Sequence, residues 1–179
     1  NEAIEELKEN EFKELYQDEN DNETKEYVKD LQIDTDYEIL FPDDYINNIT
    51  ERLNLYNELS QIKDETALQQ FEQKLIDRFG ALPKPAIALL NSVRIKWKAT
   101  AIGLEKVVIK QGKMVGYFIS DQQSDFYQTS RFMKVLQFVQ QNGNLCKMKE
   151  KETKNGLRLL LTFENVKSIN KALELLEGI

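Results

Sequence analysis

Apolar positions change their spacing several times along this chain, and each change marks a new element. From Glu2 to Leu15, Ile4, Leu7 and Leu15 keep a helical period. The run YQDENDNETKEYVKD that follows is polar, has no period and reads as a linker. In LQIDTDYEILF, Ile33, Thr35, Tyr37 and Ile39 alternate with Asp34, Asp36 and Glu38, which predicts a half-buried strand. Pro42-Asp43-Asp44 predicts a helix start, with acids at the positive end of the helix dipole. Ile46, Ile49, Leu53, Tyr56 and Leu59 then form its apolar stripe. A second helix starts near Asp64, carries Leu68, Phe71, Leu75 and Phe79, and stops at Gly80, a residue placed to adopt positive φ. Pro85 suits the first turn of a third helix. That helix runs to Gly103 and presents Ile87, Leu90, Val93, Trp97 and Ala101.

Past Gly103 the period becomes that of strands. LEKVVIK and KMVGYFIS flank Gln111-Gly112, and LCKMKEK and LRLLLTF flank Asn155-Gly156; both read as hairpins. Between them SDFYQTSRFMKVLQFVQQNG predicts one helix, capped near Ser124 or Asp125 and ended by Asn142-Gly143. Asn165 is the expected cap of a last helix bearing Val166, Ile169, Leu173 and Leu176. Three helices joined by short loops should pack as a layer. The expected fold is therefore α+β: an N-terminal helical layer of three helices, then an antiparallel sheet of two hairpins with two further helices. Residues 1–30 read as a helix end plus an acidic linker, and 31–179 as one domain.

Composition narrows the function. The 179 residues are 41% hydrophobic, enough for a core, yet no apolar run is long enough to span a membrane. The N-terminal NEAIEELKEN is acidic and is not a secretory signal. The single cysteine, Cys146, gives no intramolecular disulfide and points to a reducing, cytoplasmic setting. The chain lacks an initiator Met and opens inside a helical pattern, which suggests a piece of something longer. Histidine is absent, so Ser-His-Asp and Cys-His nucleophile systems and imidazole metal ligands are excluded. The net charge of −7 is uneven: residues 1–80 hold 23 acids and 8 bases, residues 81–179 hold 8 acids and 16 bases. Two kinds of surface follow from that split.

Four constellations bear on chemistry. Asp18, Asn20 and Asn22 sit at calcium-loop spacing, but Glu23 replaces the turn Gly and Lys29 the bidentate Glu, so a solvated linker is the better reading. Asp34, Asp36 and Glu38, with Asp43 and Asp44 nearby, invite a carboxylate metal site; the wet face of an edge strand explains them more simply. Lys147, Lys149 and Lys151 share one strand face, and Lys106, Lys110 and Lys113 lie on the other hairpin, a basic surface open to nucleic acid although no aromatic alternates along the lysine strand. No GxxxxGK[ST] or GxGxxG occurs, so no nucleotide loop and no cofactor is expected in this chain. The fourth is Asp77-Arg78. At about 100° per residue it falls off the stripe of Leu68, Phe71, Leu75 and Phe79, on the side that holds Gln70, Gln73 and Lys74. It is either a solvated helix face or a docking patch, since Arg makes planar bidentate contacts to carboxylates at interfaces.

The strings LFPDDYINNITERLNLYNELS, LIDRFGALPKPAIALL and IGLEKV occur here in that order. Together they resemble the C-terminal domain of the bacterial transcription-repair coupling factor family, Mfd, over about residues 31–110. AIEELK resembles the helix that ends the family's translocase module. The resemblance implies a parent that is an ATP-driven DNA translocase, with ATP and Mg in a motor module, and with RNA polymerase and DNA bound through other domains. It implies that this domain is non-catalytic. It would be autoinhibitory, docking on the UvrB-like N-terminal region of the same chain and masking the UvrA-binding surface until the motor engages stalled polymerase. The family's docking contacts map onto Asp77 and Arg78. The family often carries an acid three residues earlier, where this chain has Lys74.

Overall fold

The computed structural model describes residues 26–179. Ile4, Leu7, Leu15 and the polar positions Asp18, Asn20, Asn22 and Glu23 lie outside the described residues, as does most of the expected 1–30 segment. In chain order the elements are β1 (Gln32–Thr35), α1 (Ile49–Ser60), α2 (Glu65–Phe79), α3 (Lys84–Ala101), β2 (Leu104–Lys110), β3 (Lys113–Phe118), a 3-10 turn (Asp125–Gln128), α4 (Ser130–Gln141), β4 (Cys146–Thr153), β5 (Gly156–Phe163) and α5 (Ile169–Glu177). The α+β reading holds. The sheet is mixed, with order β1-β2-β3-β5-β4: the two expected antiparallel hairpins are joined through β3 and β5, and β1 adds a parallel edge beside β2.

Two hydrophobic cores hold this together. One lies between the sheet and α3, α4 and α5, and includes Ile95, Ala99, Val107, Ile109, Phe118, Phe126, Leu161 and Leu176. The other lies among α1, α2 and α3, and includes Phe41, Ile46, Leu55, Leu68, Leu75 and Leu90. Because α3 serves both, its single expected stripe is wrong in part: Leu90 is buried and Val93 and Trp97 half-buried, but Ile87 and Ala101 are exposed, while Ala86, Ile95 and Ala99 are buried. The α1 stripe also departs from expectation. Leu55 and Leu59 face the core, whereas Ile49 and Leu53 are 64% and 63% exposed.

Local hydrogen bonds explain the shifted boundaries. The Pro42-Asp43-Asp44 stretch is a turn, closed by Tyr45 and Ile46 N–H groups donating to the Pro42 carbonyl at 3.1 Å; α1 starts later, where Asn48 Oδ1 accepts from Glu51 N–H at 3.0 Å. Strand β1 ends at Thr35 because its hydroxyl donates to the Ile109 carbonyl (2.7 Å) and accepts from Tyr37 N–H (3.1 Å), bending the chain. The helix expected from Ser124 breaks at Thr129, whose Oγ1 accepts from Phe132 N–H at 3.3 Å and so caps α4 afresh. Ser168, not Asn165, caps α5, while Asn165 has φ +57°. In the second hairpin the two loop residues are Lys154-Asn155, with Gly156 the first residue of β5 at φ +106°.

Two glycines fail for different reasons when given a Cβ. Gly80 stops α2 at φ +88°, ψ −169°, a region essentially closed to L side chains, although a Cβ there would meet nothing. Gly103, between α3 and β2 at φ +87°, also sits against the Phe126 ring, which a Cβ would overlap. Gly80→Ala should cost about 1–3 kcal/mol from backbone strain alone, and Gly103→Ala about 3 kcal/mol or more as overpacking adds to strain. Thermal melts of both variants check this; a Gly80→Ala melting temperature equal to wild type would show that its backbone is unstrained.

Candidate docking face

The two strings that bracket α1 and α2 are joined by one tyrosine. The Tyr45 hydroxyl donates to the Gly80 carbonyl at 2.8 Å and lies 3.3 Å from that of Leu75. Its ring packs on Phe79 with centroids 5.8 Å apart, and burial raises its pKa. Phe41 N–H donates to the Tyr56 hydroxyl at 2.7 Å, and Arg52 donates to the Ile46 carbonyl at 2.8 Å while pairing with Asp43 at 3.2 Å. Most of LFPDDYI and LIDRFG is thus consumed by the second core and by the end of α2.

Asp77 and Arg78 are exposed. Lys74, Asp77 and Arg78 stand at i, i+3 and i+4, which places them on one flank of α2. Arg78 forms an ion pair with Glu51 of α1 and lies 4.8 Å over the Phe79 ring. Lys74 pairs with Glu58 of α1 and lies 5.3 Å from the Phe71 ring centre. The result is a two-rung ladder of opposite charges across the α1–α2 groove. Asp77 accepts a hydrogen bond from Gln73 at 3.0 Å and, among the described residues, has no cation at ion-pair distance. Exposed pairs of this kind are each worth about 0–1 kcal/mol, so Arg78 is held in position yet can change partner at little cost.

Glu51 and Glu58 were not singled out in the sequence. The signal was there: Lys74 and Arg78 repeat at helical spacing on one helix, and Glu51 and Glu58 do so on the helix before it. The other flank of α2 is clamped to α3. Arg94 donates to both Glu65 carboxylate oxygens at 2.8–3.1 Å and to Asn91 Oδ1 at 2.8 Å, and Glu72 lies 3.8 Å away. The Arg94 hydrogen bond lowers the Glu65 pKa, and the same bond raises that of Arg94.

The other candidates fall as follows. Asp34, on the exposed face of edge strand β1, pairs with Lys110 at 3.0 Å, and Asp36 accepts from Gln111 N–H at 3.2 Å. Among the described residues no group of three or more metal-ligating side chains gathers. No described helix is long and apolar enough to cross a membrane. Cys146 is buried, which raises its thiol pKa. Lys106, Lys110, Lys113, Lys147, Lys149 and Lys151 all fall on the outer face of the sheet by register.

This α+β fold has a solved counterpart. The fold is similar to the crystal structure of a C-terminal domain of transcription-repair coupling factor, with a TM-score of 0.60 at 19% identity, covering 83% of this chain and 92% of that one. The family model described as TRCF domain matches residues 35–129, just over half of the chain, and the chain belongs to that family. It is 40% identical over 68 residues to the transcription-repair-coupling factor of Escherichia coli, covering 38% of this chain and 6% of that protein. With the Buchnera aphidicola protein of the same name it shares 28% identity over 141 residues, 79% of this chain and 16% of that protein. The chain therefore spans a small part of the length of these relatives.

The Glu65–Arg94 clamp predicts a pH dependence. A carboxyl whose folded-state pKa is depressed adds stability above its unfolded pKa, and that contribution is lost as pH falls through the folded value. Glu65→Gln should therefore melt below wild type at neutral pH, and the gap should close as pH drops below the ordinary glutamate range. Melts across that range in both proteins measure it; a gap that does not depend on pH would assign the effect to packing.

Proposed function

We propose that this chain is the non-catalytic, autoinhibitory docking domain of a transcription-repair coupling factor. It packs on the UvrB-like N-terminal region of the parent chain through Asp77 and Arg78 and masks the UvrA-binding surface until the translocase engages stalled RNA polymerase. ATP and Mg belong to the parent's motor module, polymerase and DNA to its other domains, and the setting is the bacterial cytoplasm. Membership of the TRCF domain family and the greater length of its relatives support this reading. The observation that carries it is the division of labour on α2. Leu75 is buried in the core, Phe79 packs on Tyr45, and Gly80 makes the turn, while Asp77 and Arg78 face outward. Lys74 extends the patch and, paired with Glu58, presents a base where the family often has an acid.

Docking within one chain depends on effective concentration over the dissociation constant. With about 1 mM and about 10 μM, the closed form is favoured about 100:1, or about 2.7 kcal/mol. Losing an interface Arg can cost about 2 kcal/mol, enough to populate the open form. In the full-length parent, Arg78→Ala should raise UvrA binding without motor engagement, and the Asp77→Ala/Arg78→Ala pair should raise it further. Both residues lie off the core, so the melting temperature of this chain should hardly move. A pull-down with purified UvrA tests the proposal; wild-type binding by a normally folded double variant overturns it.

A further inference from the structure

Neither the cores nor the docking reading uses the outer face of the sheet. The helices pack on the opposite face, where Val107, Ile109, Met114, Leu161 and Phe163 are buried. On the outer side Tyr117 of β3 stands in one transverse row between Lys106 of β2 and Leu160 of β5, with Lys149 of edge strand β4 beyond. Lys147 and Lys151 flank Lys149 along that edge. Lys106 and Arg158 lie over the Tyr117 ring at 5.7 and 5.3 Å. The aromatic missing along the lysine strand is therefore supplied across the sheet, where sequence spacing could not show it.

The acids on this face are already matched: Asp34 pairs with Lys110, Glu164 with Lys113 and Glu105 with Arg158. Among the described residues Lys106, Lys147, Lys149 and Lys151 have no carboxylate within ion-pair distance. Glu150 and Glu152 alternate onto the other face, opposite Leu159 and Leu157.

We propose that this face binds a single-stranded polynucleotide, with phosphates on the β4 lysines and Lys106 and bases against the Tyr117–Arg158 surface. Lysines two residues apart on a strand repeat at about 6.6–6.8 Å, close to the spacing of consecutive phosphates on an extended strand. Aromatic and guanidinium planes stack with unpaired bases, whose faces a duplex hides. The acidic front half of the chain repels a polyanion and confines it to this face.

Fluorescence anisotropy of the whole chain with labelled oligothymidylate and oligouridylate of about a dozen nucleotides tests the proposal, the two arms separating DNA from RNA. Four lysines predict a salt slope of about −3, or about 50-fold weaker binding at 200 than at 50 mM KCl. The triple variant Lys147→Ala/Lys149→Ala/Lys151→Ala should lose at least about ten-fold in affinity and flatten that slope to about −1. Tyr117→Leu should lose about five-fold or more with the slope unchanged, and Tyr117→Phe should retain binding. Thermal melts establish that each variant is folded, and Lys149→Glu replaces the triple variant should that one not fold. Absence of saturable binding at 50 mM KCl, wild-type affinity in the folded lysine variants, or equal affinity for a duplex with Tyr117→Leu harmless would each overturn the assignment. So would salt-sensitive self-association without oligonucleotide binding, which would make the acidic half of a second copy the partner.

Discussion

Helix α3 must be buried on two opposite sides, and the rest of the molecule is arranged around that demand. Ile95 and Ala99 belong to the sheet-side core, Ala86 and Leu90 to the core under α1 and α2. At about 100° per residue these pairs point in nearly opposite directions. A helix apolar on both faces cannot rest on one layer, so the sheet and the helical hairpin each supply one side. Between the two apolar faces runs a polar seam. Asn91 donates to Asn170 of α5, Arg94 donates to Asn91, and the same guanidinium grips Glu65 at the start of α2. Apolar contacts tolerate rotation of α3 more readily than these directional bonds, so the seam fixes how the α1–α2 hairpin is turned relative to the sheet.

That geometry explains why the two most recognisable strings of the chain belong together. Tyr45 from the first string bonds to the carbonyl of Gly80 in the second, 35 residues later. Gly80 in turn holds the last turn of α2, where Arg78 and Asp77 project. The proposed docking pair is therefore aimed by a half-buried aromatic contact and a glycine backbone, while its own ion pair to Glu51 contributes little to folding. In the proposed docking, positioning and recognition fall to different residues within one short segment.

Much of this was legible in the order of residues. The α2 stripe, the Gly80 stop, both hairpins and the α5 face follow from period and turn chemistry, and they recur in the structure. What was not legible depended on partners distant in sequence or on a choice among neighbouring caps. Helical period places Ile49 and Leu53 on the α1 stripe with Leu59; the face that α2 covers instead holds Leu55 and the paired Glu51 and Glu58. The second apolar face of α3 was hidden because a two-sided helix gives no single stripe. Thr129 and Ser168 became caps through hydrogen bonds that neighbouring candidates such as Ser124 and Asn165 offered equally well on paper. The alternation from Ile33 to Ile39 did mark one half-buried side, yet the ladder stops at Thr35 where its hydroxyl turns to the backbone. Asp77 and Arg78 were visible only as residues without a place in the core, and the charges facing Arg78 and Lys74 emerged from the pairing of the helices.

Strand β1 precedes its neighbour by a long stretch of chain: Thr35 bonds to Ile109, 74 residues on. Parallel pairing requires a crossover connection, and α1, α2 and α3 supply it. On a ribosome, the helical hairpin can assemble from contacts close in sequence while β1 waits, its edge unpaired, for β2 to emerge. Contacts of such separation close late and slowly. The charged outer side of β1, with Asp34 on it, then serves a second purpose, keeping a waiting strand from adding to the wrong sheet.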